Sequence, residues 1–262
     1  MKWTQEAESA LKKIPFFVRK KVRARVEKEA RLTDRDTVTL AVMQTARKKF
    51  LDNMSSEIKG YQVDACFSAG GCPNRTAESD GLLAQLEQLL QREDLLGFLK
   101  QQVPGDLKYH HEFRVTISDC PNACSQPQIK DVGIIGVSEP AISAEDCSLC
   151  GNCVEVCRDR AVRLDEKQEK PVIDRQLCLQ CGLCAQECPT GTIVDGKKGF
   201  RILLGGKLGR HPRLAEELPG IYSEEAVLAI VKKCIDYYKA NSRNGTRFAE
   251  LYTDPGFLTK ID

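Results

Sequence analysis

Apolar residues recur at helical spacing through the first part of the chain, then give way to alternation. Residues 4–13 and 16–31 read as two short helices broken by Pro15. Thr4 is the expected N-cap, and Phe16, Phe17, Val18, Val22 and Val26 are the apolar positions. Thr33 or Asp34 is expected to cap a third helix, which runs to about Met54 through Leu40, Val42, Met43, Ala46 and Leu51. From about Gly60 the texture changes. Residues 61–66 suit a strand entering a loop rich in Gly and Cys, and Ser79 or Asp80 opens a helix carrying Leu82, Leu83, Leu86, Leu89 and Leu90. Residues 113–118 alternate at period two, as a half-buried strand does. A second strand is expected at 131–137, with 200–204 as its return partner. A last helix starts near Ser223 with a stripe of Val227, Ile230, Val231, Cys234, Ile235 and Tyr238. Between the two strands lies a cysteine-rich insert of about residues 140–196. The expected fold class is α+β.

Composition sharpens this. The 262 residues are 42% hydrophobic and 29% charged, with a formal net charge of +2 and 13 cysteines. Disulfide scaffolds are shorter, secreted and even in cysteine, whereas this count is odd. The first residues carry no apolar export segment and no run reaches bilayer length, so a cytoplasmic location without a membrane span is expected. Many thiols in a reducing compartment point to metal or cluster ligation. Residues 1–60 hold 15 Lys and Arg against 8 Asp and Glu, and the remainder holds 24 against 29. The basic N-terminus suits an acidic partner or an anionic ligand, or is simply a solvated helix face. It lacks aromatic interleaving and any reading motif, so no nucleic-acid role is expected.

The insert contains a repeat. Cys147, Cys150, Cys153 and Cys157 form C-x2-C-x2-C-x3-C, and Cys178, Cys181, Cys184 and Cys188 repeat it 31 residues later, followed by Pro189. Such spacing wraps three thiolates around a [4Fe–4S] cube, with the outlying cysteine ligating the other cluster. The expected sets are Cys147, Cys150, Cys153 and Cys188 on one cluster, and Cys178, Cys181, Cys184 and Cys157 on the second. Zinc ribbons also use C-x2-C pairs, but not two such four-cysteine runs. The insert resembles a bacterial-type two-cluster ferredoxin domain, departing from it at Arg158, where the first repeat lacks proline.

Five cysteines remain. Cys66 and Cys72 form C-x5-C, Cys120 and Cys124 form C-x3-C, and Cys234 sits on the last helix as an expected inert packing thiol. Small residues between the first four leave room for a bulky cofactor. This pattern, with Ser118-Asp119-Cys120-Pro121-Asn122-Ala123-Cys124-Ser125-Gln126-Pro127-Gln128 and Gly205-Gly206-Lys207-Leu208-Gly209-Arg210-His211-Pro212, resembles the sirohaem/[4Fe–4S] half of sulfite and nitrite reductases. The resemblance covers about residues 60–139 and 197–255. It implies that Cys66, Cys72, Cys120 and Cys124 bind a third [4Fe–4S] cluster, with Cys124 shared with the sirohaem iron. Asn122, Gln126, Lys207, Arg210 and His211 would contact the cofactor. Arg114, His111 and Lys207 would serve the substrate, a small oxyanion (sulfite or nitrite) reduced by six electrons. A third ordinary cluster without sirohaem is the plainer alternative.

Two departures from the family stand out. Its Lys-x-Lys before the C-x3-C strand is here Glu112-Phe113-Arg114, and Glu112 is expected to repel an anion. The family's N-terminal half is replaced by the basic helices. These resemble the small domain of a light-independent protochlorophyllide reductase subunit through Trp3-Thr4, Ile14-Pro15-Phe16-Phe17-Val18-Arg19 and Val26-Glu27-Lys28-Glu29-Ala30. Arg19, Lys20, Lys21, Arg23 and Arg25 would then meet tetrapyrrole carboxylates or a partner. The domains expected are a helical module at 1–55, a sulfite-reductase-like half domain at 56–139 and 197–262, and the ferredoxin-like insert at 140–196. The leading expectation is an oxidoreductase fed by an electron-donor protein or partner subunit, as a homo- or hetero-oligomer. A non-catalytic electron-transfer subunit and a tetrapyrrole-binding or maturation protein are the alternatives.

Overall fold

In the computed structural model the chain is described over residues 1–33 and 35–259, apart from the side chains of Phe17, residues 51–56, Ala69 and Thr259. The expected cap Asp34 and the apolar side chains of Phe17, Leu51 and Met54 lie outside the described residues. The chain divides into two compact units, Met1–Ile58 with Gly105–His110, and Lys59–Pro104 with the chain from His111 onward.

The first unit holds strand β1 (Lys2–Trp3), helices α1 (Gln5–Lys12) and α2 (Phe16–Leu32), strand β2 (Thr37–Val38) and helix α3 (Leu40–Glu57). Thr4 caps α1 by accepting from the Ala7 N–H at 3.3 Å. The cap of α3 is Thr39, which accepts from Val42 at 3.4 Å, so the expected start at Thr33 or Asp34 is corrected. Thr33 instead donates its hydroxyl to the last carbonyls of α2. Pairing of Thr37 with Lys2 and Val38 with Trp3 uses up the intervening residues as a strand. The core is Ala7, Val26, Ala30, Val38, Val42 and Ala46, with Trp3, Val22 and Met43 against it. Phe16, expected on the apolar face, is 81% exposed. Among the described residues Arg19, Arg23 and Arg25 have partners within the unit, Arg25 lying over the Phe50 ring. Arg19 donates to the carbonyls of Lys12 and Ile14 at the end of α1, and Arg23 bridges Glu8 and Glu27 while lying over the Trp3 ring.

The second unit contains β3 (Tyr61–Ala65), α4 (Asp80–Arg92), α5 (Leu95–Gln102), β4 (Phe113–Ser118), β5 (Val132–Ile142), α6 (Asn152–Val156), β6 (Val162–Asp165), β7 (Lys170–Ile173), α7 (Leu183–Gln186), β8 (Ile193–Leu204), β9 (Glu216–Glu217), α8 (Glu224–Asn241) and α9 (Phe248–Leu251). Its larger sheet runs β3-β4-β5-β8-β9, parallel across the first three strands and antiparallel thereafter, and β6 and β7 form a separate antiparallel pair. Phe113, Val115 and Ile117 are buried on one face, where Phe113 meets Tyr238 of α8 and Phe248 of α9. Alternation sends Arg114, Thr116 and Ser118 to the other face. The return strand is longer than expected. It pairs from Ile142↔Ile193 to Val132↔Leu204, with an irregularity at Ser138/Pro140. Residues 194–198 are exposed, and so carry no apolar alternation to announce them.

Candidate metal centres

The first thiol group grows out of the parallel strands. β3 and β4 end side by side, with Cys66 N–H on the Ile117 carbonyl at 3.0 Å, so the loops bearing C-x5-C and C-x3-C emerge together. Asp119, buried between them, organises both. Its carboxylate accepts from the hydroxyls of Ser68 and Ser79 and from Arg75 Nε at 2.9 Å. Its N–H donates to Cys66 Sγ at 3.3 Å, and its carbonyl accepts from Thr76 and Ala77. Burial pushes the Cys120 thiol up, an N–H at Asn122 opposes this, and the sulfurs of Cys124, Cys66 and Cys72 push it further. Cys120 is buried and Cys124 exposed, so the group has an inner and an outer edge. Ala123 and Gln126 hold left-handed backbone (φ 53° and 59°), unusual for side chains with a Cβ. Gly133 lets the next turn lie on the sheet, since a Cβ there would come within 2.2 Å of the Pro127 carbonyl.

In the insert the sequence repeat is also a backbone repeat. Leu149 and Gln180, each just before the second cysteine of its run, have φ of 54° and 61°. Gly151 and Gly182, each just after it, have φ of 83° and 74° and precede α6 and α7. Such turns make successive N–H groups converge, a cradle for an anionic centre. Backbone N–H groups reach the sulfurs: Leu149, within the first turn, donates to Cys147 at 3.4 Å, and elsewhere Ala161 donates to Cys157 at 3.2 Å and Ile193 to Cys188 at 3.3 Å. Burial raises the Cys153 thiol, and Cys147, Cys188 and Cys150 add to the rise. Burial lifts Cys184 to about 12, helped by Cys178, Cys181, Cys157 and, last, Cys153. Burial works against Cys188 too, but the Ile193 N–H and the Thr190 hydroxyl leave its thiol below the ordinary value. Cys157, Cys178, Cys181 and Cys184 line one cavity. Among the described residues no three His, Cys, Asp or Glu side chains converge to hold a single ion. Four soft thiols around a cavity are the donor set that suits a cubane.

The charged residues are less concentrated. Arg114 lies on β4 with its N–H on Asp131 Oδ2 at 2.9 Å. Glu112, expected to repel an anion, is buried, and its carboxylate accepts from the Lys59 N–H at 2.9 Å and the Gln62 amide at 2.7 Å, clamping the start of β3. His111 ends a turn just before β4. Lys207 lies 4.0 Å from Glu250, while Arg210 and His211 occupy the exposed tip of a loop closed by Lys207 and Arg213 backbone bonds. Asn122 is exposed beside a cleft it shares with Cys120, Cys181 and Arg158. Gln126 is exposed. Cys234 is fully buried on α8, as expected for a packing thiol. Three residues escaped the sequence reading. Asp119 was signalled only by its place before C-x3-C. Arg213 holds the loop through the carbonyls of Gly205, Ala249 and Tyr252. Arg201 reaches Glu217 at 3.5 Å while its Nε is buried without a hydrogen-bond partner among the described residues.

Comparison with known proteins adds to the geometry. A family model described as the nitrite and sulphite reductase 4Fe-4S domain matches residues 61–258. One described as the proto-chlorophyllide reductase 57 kD subunit matches residues 3–47. The coenzyme F420-dependent sulfite reductase of Methanocaldococcus jannaschii is 32% identical over 175 residues, 67% of this chain and 26% of that protein. A subunit of the anaerobic sulfite reductase of Salmonella typhimurium is 28% identical over 187 residues, 70% of this chain and 50% of that one. The chain thus spans about a quarter of the first relative and half of the second. A crystal structure of dissimilatory sulfite reductase I superposes with a TM-score of 0.48 at 14% identity, covering 82% of this chain and 55% of that one. No helix among the described residues is long and apolar enough to cross a membrane.

Proposed function

The chain belongs to the nitrite and sulphite reductase 4Fe-4S domain family, and from that premise we propose that it carries three [4Fe–4S] clusters and sirohaem and reduces sulfite or nitrite by six electrons. The observation that carries this is the cavity lined together by Cys157, Cys178, Cys181 and Cys184, in which the outlying cysteine of one run joins three of the other. Cys66, Cys72, Cys120 and Cys124 would hold the cluster coupled to sirohaem. Cys147, Cys150, Cys153 and Cys188 would hold a second cluster, and Cys157, Cys178, Cys181 and Cys184 a third. Bound at Cys124, sirohaem would supply the iron at which a small anion is reduced. Around it the chain's own residues bind and orient. Cys124 presents its sulfur at the exposed edge of the group. Asn122, Gln126, Lys207, Arg210 and His211 would hold the macrocycle and its carboxylates, while Arg114, His111 and Lys207 would serve the anion and its protons. A donor protein or partner subunit delivers electrons in the cytoplasm, and a partner subunit or second copy supplies the further anion-binding side chains. The proposed domain limits are 1–55, 56–139 with 197–262, and 140–196.

The Lys207–Glu250 pairing and the exposed position of Arg210 and His211 favour a second reading, an electron-transfer subunit with the same clusters and no turnover of its own. Anaerobic reconstitution separates the two. The first reading expects about twelve non-haem irons with one extractable sirohaem per chain, and sulfide or ammonia from a strong one-electron donor. Full iron without tetrapyrrole leaves the second reading, and iron far below that count refutes both.

A further inference from the structure

Resting on the reading of the thiol groups as cluster sites, we propose that Thr76 is a positioning residue. It couples the group of Cys157, Cys178, Cys181 and Cys184 to that of Cys66, Cys72, Cys120 and Cys124, and makes the former the immediate electron donor to the latter. The two groups border one cleft, lined by Cys120 and Asn122 on one side and by Leu179, Cys181 and Leu183 on the other. An electron crossing an open cleft tunnels poorly, and a bonded route beside it carries correspondingly more of the traffic. Thr76 supplies such a route. Its N–H donates to the Asp119 carbonyl at 2.9 Å, one residue before Cys120. Its hydroxyl donates to the Cys181 carbonyl at 3.0 Å, and the Asn74 carbonyl at 3.4 Å is the longer alternative. Covalent bonds and two hydrogen bonds therefore run without a break from the Cys120 sulfur, through Asp119 and Thr76, to the Cys181 sulfur. The Ser138 N–H, on the Gln180 carbonyl at 2.8 Å, pins the same loop to β5 and fixes the spacing.

The other insert group hangs elsewhere. Thr192 holds the Asp146 carbonyl at 2.9 Å and Ile193 holds Cys188, both at the far end of the β5–β8 ribbon. Its buried Cys153 packs in one apolar cluster with Cys184, so it adjoins the nearer group, and none of its cysteines lines the cleft beside Cys120. In the coupled step one electron leaves the centre at Cys181, which is oxidised by one, and reduces the centre at Cys120 by one. No bond forms or breaks and no proton moves.

The test is Thr76→Val with Thr76→Ser as its rescue, in the full chain reconstituted anaerobically. Iron content and the midpoint potential of each centre are measured first, then the rate of electron equilibration after photoreduction by freeze-quench EPR. The proposal expects iron and potentials like wild type in both variants, a rate several-fold slower in Thr76→Val, and a rate close to wild type in Thr76→Ser. A Thr76→Val protein with full iron and an unchanged rate overturns it. A check on the wild-type protein needs no Thr76 variant. The centre at Cys120 must show its strongest spin–spin coupling to the centre lost in Cys178→Ser, and stronger coupling to the one lost in Cys150→Ser refutes the proposal. Wild-type protein without iron at these groups defeats the cluster reading itself, a failure visible before any rate is measured.

Discussion

At the scale of single residues, the centre at C-x5-C and C-x3-C depends on an acid that is not one of its proposed ligands. Asp119 gathers two hydroxyls and a guanidinium in a buried position, and its backbone serves both cysteine loops. Buried carboxylates are tolerable only when so satisfied. Asp119→Asn keeps the size but places an amide N–H₂ where an acceptor is needed, and leaves Arg75 facing a neutral partner. The Ser68 and Ser79 anchors should then release the Cys66 loop, while the insert is untouched. Reconstituted Asp119→Asn is expected to fall from about twelve irons toward about eight, with the EPR signals of the two insert centres retained. Full iron with three unaltered signals would show that Asp119 is dispensable to the site.

At the scale of elements, the loop from Gly205 to Arg213 carries Lys207, Arg210 and His211, and one side chain holds it. Arg213 donates to the Gly205 carbonyl at 3.0 Å, to the Tyr252 carbonyl at 3.1 Å and to that of Ala249, so it ties the loop to the end of α9. Arg213→Ala leaves those carbonyls unsatisfied and is expected to cost about 2 kcal/mol or more of unfolding free energy, with Arg213→Lys recovering part. Denaturant midpoints that coincide for all three proteins would refute the role. The same elements show what sequence could reveal. Cysteine runs and leucine stripes were legible because their partners lie within a few residues, and Thr4, Leu82, Leu86 and Val231 are where local spacing put them. Asp119 was not legible, because Ser68, Arg75 and Ser79 stand 40 to 51 residues away. Neither was the first half of β8, whose exposed Asp195, Lys197 and Lys198 carry no apolar period, nor Glu112, whose partners Lys59 and Gln62 stand 53 and 50 residues away.

At the scale of the whole second unit, one buried carboxylate joins the sheet to its helical layer. Asp131 accepts from the Arg114 N–H on β4 and from the Ala249 N–H in the first turn of α9, acting as a remote cap for a helix end. Burial raises its pKa from 3.8 to about 6, against the downward pull of those two N–H groups and of Arg247 and Arg114. Cys234 and Tyr238, the nearest titratable groups on α8, have thiol and phenol pKa values raised by burial and remain neutral through this range. The sign follows from proton binding: between the two values the folded state holds more protons than the unfolded one, so stability falls as pH rises. The contribution is full below about 4 and gone above about 6, a change of about 3 kcal/mol at 1.36 kcal/mol per unit. Asp131→Asn lacks the titrating proton. The stability of wild type relative to Asp131→Asn, compared in the same cluster state at each pH, is therefore expected to decline between pH 4 and about 6 and to level off above. Chemical denaturation at four or five pH values measures the difference, and parallel curves would mean that Asp131 ionises as freely in the fold as in the unfolded chain.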